Sequence, residues 1–123
     1  MPDPNFVILY VENAVASADF YTALLSRPPV EKSPTFAMFA LESGLMLGLW
    51  TRRGVEPAVA APGSGGELAF SRADDEAVRM LHREWERRGL AMAQAPTRMD
   101  FGYTFVALDP DGHRLRVFAP LAP

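Results

Sequence analysis

The first half of the chain alternates between short apolar runs and a stretch whose apolar side chains recur at helical spacing. The continuous run at 5–11 is β-favouring and predicts a strand covered on both faces. Asn13 is a favourable N-cap, so a helix is predicted over 14–26. Its apolar stripe is predicted to consist of Val15, Phe20, Leu24 and Leu25. Further strands are predicted at 30–32, 35–41 and 45–51.

The second half repeats this order of elements. A strand is predicted at 67–71, and a helix capped by Asp74 or Asp75 is predicted to extend to Arg88. Val78, Leu81 and Trp85 recur at helical spacing, which indicates that Trp85 belongs to the core. Three strands follow at 90–94, 101–107 and 114–119, and an Asp-Pro-Asp-Gly turn joins the last two.

Together the halves predict an α+β fold, with two βαβββ modules at about 5–53 and 67–119 in a single domain over 1–123. One helix can cover only one face of its sheet. The other face must therefore meet the second module, a partner chain or a ligand. The intervening stretch 54–66 is rich in Gly, Ala and Pro without periodicity, which predicts a linker or a flap.

Composition excludes several classes of function. The net charge of −3 lacks the basic footprint of a dedicated nucleic-acid binder. The chain has no cysteine, which excludes thiolate catalysis and cysteine-ligated zinc. No apolar run approaches the roughly 18–20 residues of a membrane span, and no signal-peptide pattern is visible. We therefore expect a cytoplasmic protein with no membrane partner.

Short motifs along the chain occur in a characteristic order. They are Val7-Ile-Leu-Tyr-Val11, Glu67-Leu-Ala-Phe70, Phe101-Gly102 and Asp109-Pro-Asp-Gly-His113-Arg-Leu-Arg116. The ordered set, over about 5–119, resembles the vicinal oxygen chelate superfamily. That superfamily includes glyoxalase I, extradiol dioxygenases and the bleomycin-resistance type of antibiotic-binding protein. The resemblance implies modules whose mixed sheets curl around a shared cleft, commonly in a homodimer.

Enzymes of this superfamily hold a divalent metal with one side chain from each of four cleft-lining strands. The resemblance places those positions at Phe6, Gly48, Glu67 and Arg116. Only Glu67 carries a metal ligand, and Arg116 would repel a dication. The two histidines fall on the second helix and in the turn before the last strand. We therefore expect no metal and no cofactor, as in the antibiotic-binding branch, which likewise lacks a full metal set and often has an arginine in the last strand.

Strand alternation predicts which side chains share a face with each of these positions. The opposite faces are uniformly apolar, which supports the alignment because a one-residue slip would exchange the two faces. Gly48 is expected to leave room where a ligating glutamate would stand. The candidate ligand-binding residues are Phe6, Tyr10, Phe36, Met46, Gly48, Trp50, Glu67, Phe101, Tyr103, Arg114, Arg116 and Phe118.

Aromatic walls with a few charged groups suit a flat, partly polar organic ligand. The expected function is metal-independent binding by a homodimer that sequesters an aromatic or planar compound such as an antibiotic, and hence a role in antibiotic resistance. One alternative is a metal-independent enzyme with Glu67 as acid or base and Arg116 stabilising an oxyanion. Another is a metal-dependent lyase or dioxygenase. Trp50 has two interpretations, cleft or dimer interface, and so does Arg116, which either recognises a ligand or forms an ion pair with Glu67.

Overall fold

The computed structural model describes residues 5–56, residue 58 and residues 66–121. The chain divides into two compact units, 1–62 and 63–123. Each unit contains one α-helix and one four-stranded mixed sheet in the order β-α-β-β-β, which confirms the predicted α+β class. In the described ranges no helix is both long enough and apolar enough to cross a membrane. The predicted 54–66 linker lies largely outside the described residues, and its role as a flap stays a prediction.

Unit 1 begins with an edge strand and places the last strand of the module beside it. Its sheet has the order β1-β4-β3-β2, with β1 parallel to β4 and the other pairs antiparallel. The elements are β1 (Phe6–Val11), α1 (Ala14–Leu25), β2 (Glu31–Lys32), β3 (Phe36–Ala40) and β4 (Met46–Thr51), followed by a 3-10 turn (Arg52–Gly54).

Helix α1 begins where the sequence predicts but buries a different stripe. The side-chain oxygen of Asn13 accepts a hydrogen bond from the Ala16 N–H at 3.1 Å, which confirms the N-cap. The predicted apolar stripe is wrong, since Val15 is 39% exposed. The buried positions recur one turn apart and carry mostly small side chains, which let the helix approach the sheet closely: Ala14, Ser17, Ala18 and Tyr21.

Unit 2 has the equivalent strand order, β5-β8-β7-β6. Its elements are β5 (Glu67–Ser71), α2 (Asp75–Arg87), β6 (Ala91–Met99), β7 (Gly102–Leu108) and β8 (Arg114–Pro120). Asp74 caps α2, with its side chain accepting from the Ala77 N–H at 2.9 Å. Strand β6 continues past the predicted end at 94 and includes Pro96. An edge strand with register shifts tolerates a residue that cannot donate to the ladder.

Each core lies between the helix and one face of its own sheet. In unit 1, Phe39, Leu47 and Leu49 are at most 2% exposed. In unit 2, Trp85 is 4% exposed and meets the rings of Phe70 and Phe105 edge-on, at centroid distances of 5.5 and 5.6 Å. The prediction that Trp85 is a core residue is therefore confirmed.

Candidate functional site

The face of the unit 1 sheet opposite these buried leucines is apolar and partly exposed. Strand register places Phe6 beside Met46, Ile8 beside Gly48 and Tyr10 beside Trp50. Phe6, Ile8 and Tyr10 are 38%, 43% and 38% exposed, so the expectation that β1 is covered on both faces is wrong. We call this surface the unit 1 open face; it comprises Phe6, Ile8, Tyr10, Phe36, Met38, Met46, Gly48 and Trp50.

Gly48 lies at the middle of the unit 1 open face, beneath two aromatic rings. A Cβ atom at Gly48 would lie 2.8 Å from Cε1 of Phe6 and 3.0 Å from Cζ of Phe36. The expectation that Gly48 leaves open room is therefore wrong, because the rings occupy that space. A strand glycine commonly marks such a close approach. The absent side chain allows Phe6 and Phe36 to lie directly on the backbone of β4.

Phe36 also meets Trp50, so the aromatic surface continues across the sheet. The two rings are edge-to-face with centroids 6.3 Å apart, a favourable geometry for an aromatic pair. Trp50 is half-buried. The structure therefore brings Phe6, Phe36 and Trp50 onto one face, as alternation predicts. Both interpretations of Trp50, as a cleft residue or as a dimer-interface residue, stay predictions.

The corresponding face of unit 2 combines charged and aromatic side chains. Register places Glu67 beside Arg114 and Ser71 beside Phe118, with Arg116 following Arg114 on the same side of β8. Leu115 and Val117, which point to the other side, are fully buried. We call this surface, which includes Glu67, Arg114, Arg116 and Phe118, the unit 2 open face.

Tyr103 does not belong to the unit 2 open face, so its predicted placement there is wrong. Its register partner is Ala119, which shares the buried side with Val117. The Tyr103 ring lies 5.4 Å from the guanidinium carbon of Arg79 on α2 and 5.2 Å from that of Arg98. The hydrogen bond between Arg79 and Tyr103 is the largest of the effects that raise the pKa of Arg79. Tyr103 thus packs on the helix side, which sequence alternation counted from Phe101 could not reveal.

Phe101 reaches the unit 2 open face because the chain breaks its alternation at the next residue. Gly102 has φ +149°, and a Cβ there would collide with the Ala119 carbonyl oxygen. Phe101 is 44% exposed, and its ring centroid lies 6.2 Å from that of Phe118. The Phe101-Gly102 motif therefore places an aromatic ring beside β8.

Arg116 is held in position by three neighbours. Its Nε donates to Oε1 of Glu67 at 2.6 Å, and its Nη1 donates to Oγ1 of Thr104 at 3.1 Å. The guanidinium carbon lies 5.6 Å from the centre of the Phe101 ring. The Arg116 and Glu67 side chains are 18% and 32% exposed, so the pair is only partly shielded from water. The predicted ion pair is confirmed; recognition of a ligand by Arg116 stays a prediction.

Arg114 differs from Arg116 in having no such partner. It is exposed, and within the described ranges no side chain or carbonyl group bonds its guanidinium. Along β5 and β8, the unit 2 open face therefore carries two guanidinium groups and one carboxylate. The face has an excess of one positive charge in a protein whose net charge is −3.

The four positions that the resemblance assigns to a divalent metal do not have side chains suited to a metal ion here. Phe6 and Gly48 have no donor side chains, and ring atoms fill the space above Gly48. One oxygen of Glu67 accepts from Arg116, whose own charge opposes a cation. Over the described part of the chain, no three His, Asp or Glu side chains come close enough together to hold a metal ion.

One histidine–carboxylate pair was not anticipated from the sequence. Nδ1 of His113 lies 2.7 Å from Oδ2 of Asp109, which is 5% exposed. Oδ1 of Asp109 accepts the backbone N–H groups of Asp111 and His113 at 2.9 and 2.8 Å. The signal in the sequence is the turn itself, because Asp commonly bonds the backbone two residues on. These contacts stabilise the β7–β8 turn.

Comparison with known proteins finds relatives that match nearly the whole chain. Residues 4–117 match the profile of the glyoxalase/bleomycin resistance protein/dioxygenase superfamily. A phenazine antibiotic resistance protein, EhpR, from Enterobacter agglomerans is 31% identical over 117 residues, which cover 93% of this chain and 89% of that protein.

Solved structures share the fold. Protein ATC0852 from Agrobacterium tumefaciens, determined by solution NMR, is 52% identical with a TM-score of 0.90, covering 99% of this chain and 100% of that one. A glyoxalase-related enzyme from Fulvimarina pelagi has a TM-score of 0.82 at 21% identity, covering 97% and 88%, and supports the fold alone. By its profile match and its curated relative, the chain belongs to the glyoxalase/bleomycin resistance protein/dioxygenase superfamily.

Proposed function

We propose that this protein is a metal-independent binding protein that sequesters an aromatic or planar small molecule, such as an antibiotic. The observation that carries the proposal is the unit 1 open face. Its edge strand presents Phe6, Ile8 and Tyr10 at 38–43% exposure. The rings of Phe6 and Phe36 lie over Gly48. Contiguous exposed apolar surface of this kind commonly marks a binding site.

The size of the expected effect is set by the area that a flat ligand removes from water. Covering about 200 Å² of apolar surface contributes about 5 kcal/mol at ~25 cal/mol per Å², before the loss of ligand freedom is subtracted. Edge-to-face or offset contacts with the Phe36 and Trp50 rings add about 1 kcal/mol per pair. Such a face can bind a planar ligand without any covalent or metal chemistry.

The curated relative gives the ligand class a chemical direction. Its name refers to resistance to phenazines, which are planar fused aromatic rings. That shape matches what the unit 1 open face can cover. On the unit 1 open face, the proposed ligand contacts are Phe6, Tyr10, Phe36, Met46, Gly48 and Trp50. On the unit 2 open face, they are Glu67, Phe101, Arg114, Arg116 and Phe118. Tyr103 is no longer included.

The homodimer and the cytoplasmic location also belong to this proposal. A partly exposed, fully apolar edge strand such as β1 favours association, because an unpaired edge offers both backbone groups and side chains to a second chain. Light scattering of the purified chain measures the mass in solution. A monomer at micromolar concentration would remove the homodimer from the proposal without affecting the ligand.

Calorimetric titration with phenazine tests the binding function. We expect saturable binding that weakens about tenfold or more in Trp50→Ala and in Phe36→Ala, since each truncation removes ring contacts. Met80→Ala on α2, a truncation of a side chain that is 59% exposed, is the matched control and should leave the affinity unchanged. Absence of heat with the wild-type protein, or equal loss in the control, would contradict the proposal.

The same samples separate binding from turnover. After long incubation with the protein, phenazine should be recovered chemically unchanged by chromatography. A new product that disappears in Glu67→Gln would favour the alternative of a metal-independent enzyme, in which Glu67 acts as acid or base.

A further inference from the structure

On the unit 2 open face, the Arg116 guanidinium group is held in place by hydrogen bonds from two of its three nitrogen atoms. Arg116 donates through Nε to Glu67 and through Nη1 to Thr104, while Nη2 has no partner among the described residues. Among the described residues, the buried side-chain nitrogen and oxygen atoms without a partner are Nε of Arg52 and Oε1 of Gln94. Nη2 of Arg116 is therefore accessible to water. Its N–H groups therefore remain available to an acceptor that arrives from solution.

Arg114 supplies a second cation next to the first. Residues 114 and 116 project from the same side of β8, and Glu67 lies opposite Arg114 on the neighbouring strand. The single carboxylate is already bonded to Arg116 at 2.6 Å. One positive charge is left over, on a guanidinium whose planar N–H array matches a carboxylate.

An aromatic surface lies against the same guanidinium. The centre of the Phe101 ring is 5.6 Å from the Arg116 guanidinium carbon, and the Phe118 ring meets Phe101 edge-on at 6.2 Å. Phe101 is 44% exposed. A ligand that carries a carboxylate on an aromatic ring could therefore pair its charge with the arginines while its ring contacts Phe101.

We infer that the unit 2 open face is a subsite for an aromatic carboxylate, with Arg114 and Arg116 binding the anionic group and Phe101 and Phe118 contacting the ring. This inference rests on the proposed function and narrows its ligand class to planar aromatics that carry an acidic substituent. Glu67 competes with the ligand's carboxylate for Arg116. It orients the guanidinium in the free protein and limits the affinity for the anion.

A matched pair of probes tests this assignment: phenazine and phenazine-1-carboxylate, titrated by calorimetry at low and at moderate salt. The wild-type protein should bind the carboxylate about tenfold more tightly, the size expected for one charge-assisted hydrogen bond. That advantage should shrink as salt is raised, because the charges are partly exposed. The affinity for neutral phenazine should not change with salt.

Two substitutions on the unit 2 open face should change the affinity for the carboxylate probe in opposite directions. Arg114→Gln should abolish most of the advantage that the carboxylate probe has over neutral phenazine. Glu67→Gln keeps an oxygen that accepts from Arg116 but removes the competing charge, so the carboxylate probe should bind several-fold more tightly. Arg83→Gln on α2 makes the same change in net charge as Arg114→Gln and should have no effect on either probe. Thermal melts verify that each variant is folded.

The outcomes are distinguishable. Equal affinity of the wild-type protein for the two probes would overturn the subsite while leaving the binding function intact. So would weaker binding of the carboxylate to Glu67→Gln, because the removal of a competing negative charge should strengthen the binding of an anion. If the wild-type protein binds neither probe, the proposed function itself fails.

Discussion

Substitution of Gly48 by alanine gives a direct test of the aromatic floor on unit 1. The backbone tolerates the change, since Gly48 is not among the glycines with positive φ. The new methyl group would lie 2.8 Å from the Phe6 ring and 3.0 Å from the Phe36 ring, closer than carbon atoms normally approach. The rings must therefore move.

The free energy follows from two opposing contributions. Overpacking of this kind costs about 1–3 kcal/mol when neighbours cannot relax. Phe6 is 38% exposed and can rotate towards solvent, which keeps the cost near the lower end. Alanine also restricts the unfolded chain and so returns about 0.4–1 kcal/mol. We expect a net loss of stability of about 1 kcal/mol or less, together with a displaced ring pair.

Urea unfolding and calorimetric titration with phenazine measure the two consequences separately. We expect the affinity of Gly48→Ala to fall about tenfold although its stability is nearly normal, because the displaced rings no longer lie where they would contact the ligand. Gly66→Ala is the control, since its Cβ would meet nothing within 4 Å. Undiminished affinity in Gly48→Ala would refute the role of the two rings. A loss of stability above about 3 kcal/mol would show that the rings cannot yield, contrary to the reasoning.

Three further predictions follow from other parts of the fold. Addition of Mn²⁺, Ni²⁺ or Zn²⁺ to chelator-treated protein should leave the thermal midpoint unchanged, since Arg116 occupies an oxygen of Glu67; a saturable rise of several degrees would contradict this. Gly102→Ala should destabilise unit 2 by about 3 kcal/mol or more, because the methyl group would collide with the Ala119 carbonyl. Gly112→Ala is the control: its methyl group meets nothing within 4 Å, and the change should cost about 1 kcal/mol. Comparable melting temperatures for the two variants would count against the close approach at Gly102. In Trp85→Phe, the remaining Trp50 emission should be readily quenched by iodide, and in Trp50→Phe the emission of the buried Trp85 should not be; the reverse order would be incompatible with their positions.

Alternation and capping residues were sufficient to predict most of the fold. Leu47 and Leu49 point to the core, and Asn13 caps α1, because these features depend on local spacing alone. The placement of Tyr103 failed for a specific reason. Gly102 breaks the alternation with a backbone conformation that no pattern of apolar residues encodes.

The candidate site was less predictable than the fold, because its details depend on packing between distant residues. The sequence suggested that Gly48 makes space, whereas Phe6 and Phe36 come from other strands and fill it. The Glu67–Arg116 pair was one of two open interpretations; it forms diagonally, since the register of β5 against β8 places Glu67 opposite Arg114, and ligand recognition by Arg116 stays a prediction. The lack of donor side chains at Phe6 and Gly48 could be read from the sequence alone, whereas metal independence stays a prediction.

The hydrogen bonds that Asp109 accepts within the β7–β8 turn have a consequence for how unit 2 folds. The β7–β8 hairpin closes a short loop whose turn already carries its own hydrogen bonds, so it can form early and with little loss of chain entropy. The parallel pairing of β5 with β8 joins residues as distant as Glu67 and Arg114, and it must wait for the intervening helix crossover. We therefore expect the Glu67–Arg116 contact to form after the folding transition state. We expect its loss to accelerate unfolding of unit 2 while refolding in stopped-flow experiments proceeds at nearly its normal rate.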